Sequence, residues 1–358
     1  MSNYVQFKNK IAFHPGYYIE EIIKEKGITQ EDFAKRLDTT PKNISKLING
    51  HQNLSVDMST KLSRLLGTSI EYWLNLQTSY DAVLGDIASE KELIEEREVF
   101  KELNYKYFRT HFNLPDLPRK IDQQIESLRN LLKISSLTVL KKKDLAINFR
   151  SMTENIKESN LIKANTMVQL AINITSNTDA PKFNKNKFEE AVNFALTLTE
   201  DHKSFYKKIK EAFLHTGVVF VILPNISGSC VNGATKKIDN KIMLMVNDRR
   251  RYSDTFWFTL FHEIGHIING DFGISMDKES GEQENEANKY AQNKLIPETE
   301  YSDFLKNNEF TAYSVQEFSQ KINRDPGIIV GRLQHDGLVT HDNIELNSLK
   351  TKYRVNVL

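Results

Sequence analysis

The sequence predicts a multidomain, mainly α-helical chain: an N-terminal five-helix bundle, a helical middle region and a C-terminal α+β domain with a small sheet. Three observations predict it. Between residues 17 and 80, capping residues and glycines punctuate apolar positions that recur at helical spacing. From 104 to 212 the pattern stays helical and carries no chemical motif. At Gly217 the texture changes to a buried-strand pattern, VVFVILP (218–224), followed by two strand-like runs around an Asp239-Asn240 turn. The expected domains are 1–82, 83–212 and 213–358.

In the first domain, His14-Pro15-Gly16 precedes a helix that runs to about Lys26 and stops at Gly27. Thr29 caps the second helix, with Asp32 three residues on in the capping-box position. Thr40 caps the third, Pro41 stands in its first turn, where the missing N–H costs nothing, and Gly50 ends it. Ser55 and Gly67 bracket the fourth, and Ser69 caps the fifth, which carries Trp73. Phe33, Leu37, Ile44, Leu47, Ile48, Leu62, Leu65 and Leu66 predict one small core. The charge run SEKELIEEREVFKEL (89–103) reads as a solvated helix leading out of this bundle. The middle region reads as helices with loops near 115–118 and 176–184. The last domain reads as the strand and hairpin above, a long helix from about Ser253 to Ile268, a second from about Gly281 to Leu295 before Pro297, and shorter helices over 300–336.

Composition narrows the function classes. The 358 residues carry a net charge of +1, so no global field advertises a polyanionic partner, and any nucleic-acid surface must be local. The single cysteine, Cys230, excludes an intrachain disulfide and is too few for a thiolate metal site. It falls in a predicted strand as a small core residue. No apolar segment follows Met1, and Gly217–Leu223 is far too short to span a bilayer, so a cytoplasmic setting without a membrane partner is expected.

His262-Glu263-Ile264-Gly265-His266 is an HExxH motif. On a helix, residues four apart share a face, so both imidazoles aim at one point, as a tetrahedral zinc ion requires. Glu263 beside them is the natural general base toward water. Trp257, Leu260, Phe261, Ile264 and Ile268 form an apolar stripe, while Thr255, Thr259, His262 and His266 form a separate polar line. Zinc needs a third protein ligand. On the following helix Glu284 aligns with Ala287, Asn288, Ala291 and Leu295, an inner face, whereas Glu282 and Glu286 align with Lys289 and Asn293. Glu284 is therefore the expected third ligand, and Asn288 the residue that orients a ligating histidine. Two His and one Glu leave a fourth position open, the catalytic arrangement, with one Zn2+ per chain. With 9 His in the chain, a chance HExxH arises in about two of a hundred shuffled sequences of this composition.

The predicted helices 30–37 and 41–49 have helix-turn-helix spacing, the second being the recognition helix. Its outward Lys42, Asn43, Ser45 and Lys46, with Gln30 at the start of the preceding helix, are of the right type for base edges and phosphates of double-stranded DNA. Lys35 and Arg36 add possible phosphate contacts. A homodimer reading two half-sites roughly 34–36 Å apart is expected of such a domain.

Two stretches resemble known families. HPGYYIEEIIKEKGITQEDFAKRLDTTPKNISKLINGHQNLSVDMSTKLSRLLGTSIEYWLNLQTSYD resembles the lambda-repressor-like helix-turn-helix domain of the HigA antitoxin family. NGATKK, FWFTLFHEIGHIINGD, ENEANKYAQNKLIP and PGIIVGRLQHDG resemble the ImmA/IrrE metallopeptidases, a zincin-like fold. The second resemblance implies zinc on His262 and His266, a base at Glu263 and, from the ExxAN pattern, a third ligand at Glu284. Together they imply a transcription regulator carrying a zinc endopeptidase that cleaves a repressor or itself on a signal. The alternatives are an antitoxin and autorepressor that binds a toxin partner and uses zinc structurally, and a peptidase whose bundle only recruits protein. A substrate strand is expected to add beside Lys241–Val246. Tyr252, Tyr290 and His335 are the candidates to stabilise an oxyanion.

Overall fold

The computed structural model describes residues 3–143, 145, 157–249, 251–276 and 281–353. The chain divides into two compact units, Met1–Glu95 and Glu96–Leu358.

Unit 1 begins with an antiparallel hairpin that the sequence reading did not foresee, β1 (Tyr4–Phe7) and β2 (Lys10–Phe13). Its turn is Lys8-Asn9, and Lys8 takes the left-handed conformation at φ 51° without a glycine to signal it. Helices α1 (Pro15–Glu25), α2 (Gln30–Arg36), α3 (Pro41–Ile48) and α4 (Val56–Leu66) follow. Their starts are set by side-chain caps: His14 Nδ1 accepts from the Gly16 amide, Thr29 from Asp32, Thr40 from Asn43 and Ser55 from Met58, at 2.9–3.2 Å. Each cap satisfies one of the amides that a helix start leaves without a partner. Phe33, Leu37, Ile44, Leu47, Ile48 and Leu62 are buried with Ile19, Met58 and Trp73 in one core. Leu65, expected there, is 36% exposed.

The fifth helix is not short. α5 runs for 32 residues, Ile70–Lys101, and contains most of the charge run read as a separate element. Only Gly85 interrupts its helix formers, a local penalty of about 1 kcal/mol that a long helix tolerates. Nor is the run wholly solvated. Val99 and Glu96 are buried, and the Glu96 carboxylate accepts a hydrogen bond from the Leu137 amide at 2.7 Å.

Unit 2 continues through α6 (Tyr105–Phe112), α7 (Ile121–Leu132), a short 3-10 turn at Leu137–Lys141, α8 (Glu158–Ser176), α9 (Lys185–Leu196) and α10 (Phe205–Leu214). A four-stranded mixed sheet follows, made of β3 (Val218–Leu223), β4 (Val231–Ile238), β5 (Lys241–Asn247) and β6 (Gly273–Met276) in the order β3-β5-β4-β6. The expected hairpin is β4–β5; β3 lies parallel to β5, and β6 closes antiparallel on β4. Every residue of β3 is buried, so both faces of that strand are covered. Val218, Phe220, Ile222, Ile242, Leu244 and Val246 share one core with Trp257, Leu260, Phe261 and Ile264. These four belong to α11 (Ser253–Asn269). Helices α12 (Glu282–Leu295), α13 (Glu298–Lys306), α14 (Ala312–Ile322) and α15 (Pro326–His335) complete the unit, followed by a last turn, α16 (Ile344–Asn347).

Two expectations need correction. β5 lies between β3 and β4, so its backbone groups are already paired and no peptide can add beside Lys241–Val246. Cys230 is half-buried just before β4, at φ 57°, instead of inside a strand. Among the described residues, no helix is long and apolar enough to cross a membrane.

A Cβ on Gly16 would overlap the Leu47 carbonyl oxygen at the end of α3. Gly16→Ala is expected to destabilise unit 1 by about 1–3 kcal/mol, the range for overpacking. Amide hydrogen exchange in α1 and α3 should then accelerate roughly ten- to hundredfold, with unit 2 unaffected.

Candidate metal centre and nucleic-acid interface

α11 is apolar on most of its circumference, as a helix surrounded by protein must be. The polar groups it carries inward are His262, Glu263 and His266, which are 8%, 0% and 0% exposed. α12 is polar outside and presents Glu284, Ala287 and Ala291 inward, all buried. The two helices run antiparallel: His262 pairs with Asn288, and His266 with Glu284. Gly265 sits between them. A Cβ there would lie 3.2 Å from the Ala287 Cα and from the Tyr290 ring, so glycine lets the backbones approach.

This packing brings three ligand atoms together. His262 Nε2 and His266 Nε2 are 3.0 Å apart, His262 Nε2 is 3.1 Å from Glu284 Oε2, and His266 Nε2 is 3.3 Å from Glu284 Oε1. Among the described residues, His262, His266 and Glu284 are the group arranged to hold a metal ion. The donor chemistry fits zinc. Asn288 Oδ1 lies 2.9 Å from His262 Nδ1. An amide oxygen can only accept, so Nδ1 carries a proton and Nε2 either donates to Glu284 when protonated or offers its lone pair to a metal ion. Tetrahedral ligands about 2.0–2.1 Å from zinc stand about 3.3 Å from one another, close to the separations found here. Burial alone would push the Glu284 carboxyl up, but the hydrogen bonds and charges of His262 and His266 outweigh it and hold the group well below the usual carboxylate range.

Glu263 is fully buried on the side of α11 that faces β4. Gly233 of β4 makes room for it, because a Cβ at that position would come within 2.5 Å of Glu263 Oε1. The sequence reading passed over Gly233, although an isolated glycine inside a strand is the signal for such an approach. Glu282 and Glu286 are exposed, as the helix-face argument requires. Of the oxyanion candidates, Tyr290 packs against Gly265, while Tyr252 and His335 line a cavity described below. His335 is paired with Asp336 at 3.1 Å.

In unit 1, α2 and α3 form the expected helix-turn-helix. Gln30, Lys42 and Lys46 are exposed. Asn43 and Ser45 are half-buried, and the Asn43 amide donates to Thr39 Oγ1 at 2.9 Å.

Comparison with known proteins agrees with this division. Residues 19–73 match the helix-turn-helix family, and residues 231–319 match the IrrE N-terminal-like domain. The chain is 36% identical over 73 residues to the HTH-type transcriptional regulator YddM of Escherichia coli, covering 20% of this chain and 78% of that protein. It is 32% identical over 81 residues to virulence-associated protein I of Dichelobacter nodosus, covering 22% and 75%. A solved antidote protein of a plasmid maintenance system from Nostoc punctiforme is 32% identical over 24% of this chain and 94% of its own, with a TM-score of 0.23.

If Asn288 sets the His262 tautomer, Asn288→Ala should weaken zinc binding roughly ten- to hundredfold, measured by competition with a chromophoric chelator. Equal affinity would remove Asn288 from the site.

Proposed function

This chain belongs to the helix-turn-helix regulators and carries an IrrE N-terminal-like domain, and we propose that it is a DNA-binding regulator whose second module is a zinc-dependent endopeptidase. The observation that carries the peptidase reading is the convergence of His262, His266 and Glu284 at 3.0–3.3 Å with Glu263 buried next to them.

In this reading His262 and His266 would hold one zinc ion through Nε2, and Glu284 through its carboxylate. When bound, zinc supplies a Lewis acid that polarises the peptide carbonyl and makes water acidic enough to react near neutral pH. Glu263 takes a proton from the attacking water and returns it to the departing amine. Its burial beside Gly233 keeps bulk water from the carboxylate and fixes its direction. Asn288 holds the Nδ1 proton of His262, leaving Nε2 for the metal. The substrate backbone would add along the outer side of β6, the strand at the end of the sheet next to β4. The substrate is a regulator protein or this chain itself.

In unit 1, α3 is the recognition helix. Lys42 and Lys46 would contact phosphates at the rim of a major groove, with Gln30 at the N-terminus of α2 near the backbone. Asn43 would reach a base edge only after releasing Thr39, and the half-buried Ser45 would reach one past its neighbours on α3.

Two experiments test the two halves. Purified protein is expected to carry about one zinc per chain, equally in wild type and Glu263→Gln, while cleavage of itself or of co-expressed regulators falls by about 10²–10⁴ in Glu263→Gln. Zinc in both with cleavage in neither would leave the domain a sensory or structural part of an autorepressor or antitoxin. On DNA from upstream of its own gene, Lys42→Ala and Lys46→Ala should each lower the slope of log affinity against log salt by about 1. Unchanged slopes would take α3 off the DNA.

A further inference from the structure

Unit 2 contains a cavity of about 1150 Å³ that begins one helical turn from the metal donors. Thr255 and Phe258 of α11 form part of its wall, as do Gln292, Leu295 and Ile296 of α12. Phe258 precedes His262 by four residues, and the two ring centroids are 6.2 Å apart. Gln292 follows Asn288 by four. Four residues of helix advance about 6 Å, roughly two residues of extended chain. The cavity therefore starts about 6 Å along α11 and α12 from the buried triad, whose own residues do not line it. A peptide with one bond at the triad would place its neighbouring side chains in it.

The charged residues of the wall are mostly basic. Arg249, Arg251, Arg332, Lys350 and Lys352 stand against one acid, Asp254, among the described lining residues. That is five positive charges less one negative, +4, in a chain whose total is +1. The C-terminal tail builds this arrangement. The Ser253 amide donates to the Thr351 carbonyl at 2.8 Å and the Tyr353 amide to the Arg251 carbonyl at 2.7 Å. This pairing sets Tyr252 opposite Lys352, whose ammonium lies 5.1 Å from the Tyr252 ring centroid, with Arg251 next in the chain; Arg251 and Lys352 are both exposed. Two of the cations are committed to the fold: Lys350 bridges Asp254 and Gln334, each at 2.6 Å, and Arg332 pairs with Asp336 at 2.8 Å. Arg251 and Lys352, the latter also over the Tyr252 ring, are the exposed cations placed to meet a ligand. α15 and the tail lie beyond residues 231–319, the stretch that matches the IrrE N-terminal-like domain.

We propose that this cavity selects polypeptides with an acidic stretch beside the bond to be cut. The proposal rests on the peptidase reading. Carboxylates entering a wall of this charge are attracted from a distance and pair on arrival, whereas apolar or basic side chains would strip water from cations without replacing it.

The test reads binding, so it does not depend on cleavage. Fluorescein-labelled hexaglutamate is titrated with the full-length Glu263→Gln protein and followed by anisotropy, with hexalysine and inorganic triphosphate as parallel probes. Hexaglutamate is expected to bind, to weaken as salt rises, and to lose at least about tenfold in affinity in the Arg251→Glu/Lys352→Glu variant; hexalysine should not bind. Equal binding to the charge-reversed variant would overturn the proposal. So would binding of triphosphate without hexaglutamate, which would make the cavity a small-anion site. An inactive peptidase that binds hexaglutamate in this way would count against the peptidase reading alone.

Discussion

The distance between α11 and α12 is the constraint on which the His262–His266–Glu284 cluster depends. α11 alone presents two imidazoles and α12 one carboxylate; only their close antiparallel packing joins them. Gly265 and Ala287 set that distance, because a larger residue at either position would hold the backbones apart. The surrounding core makes the packing stiff. Trp257, Leu260, Phe261 and Ile264 fix α11 against β3 and β5, and Ala291 and Leu295 fix α12 against the same core. Displacing either helix by an ångström would separate donors that now lie 3.0–3.3 Å apart.

The chemistry follows from burial as much as from proximity. His262, His266, Glu263 and Glu284 are all buried, and placing four ionisable groups away from water is unfavourable unless they are paired or bind a metal. Here the paired arrangement and the metal-binding one use the same atoms. The carboxylate of Glu284 is held ionised by the two histidines, and Asn288 fixes which nitrogen of His262 is left with a lone pair. Glu263, next in the chain to His262, packs against the space that Gly233 leaves on β4. The sheet contributes through the missing side chain of Gly233, and the C-terminal tail contributes by pairing with the start of α11.

Much of this centre was legible because the helix period converts spacing into direction. HExxH puts both histidines on one face, and the same reasoning separated Glu284 from Glu282 and Glu286. The caps Thr29, Thr40 and Ser55 announced the helices of unit 1 through a local hydrogen bond that needs no tertiary context. The failures are places where tertiary context decides. β6 has four residues and no period to detect. The β1–β2 turn uses Lys8 at positive φ where sequence rules look for glycine or asparagine. The parallel pairing of β3 with β5 joins segments separated in sequence, and a hairpin read as an exposed edge becomes interior once β3 arrives. The run at 89–103 looked solvated because charge is visible in a sequence and the hydrogen bond from Leu137 to Glu96 is not.

The account is tested most directly by the zinc K-edge X-ray absorption spectrum of the purified full-length protein. It predicts a first shell of nitrogen and oxygen alone at about 2.0–2.1 Å, with the outer-shell scattering of two imidazoles. A sulfur at about 2.3 Å, which only Cys230 or a methionine could supply, or a shell without two imidazoles, would contradict it.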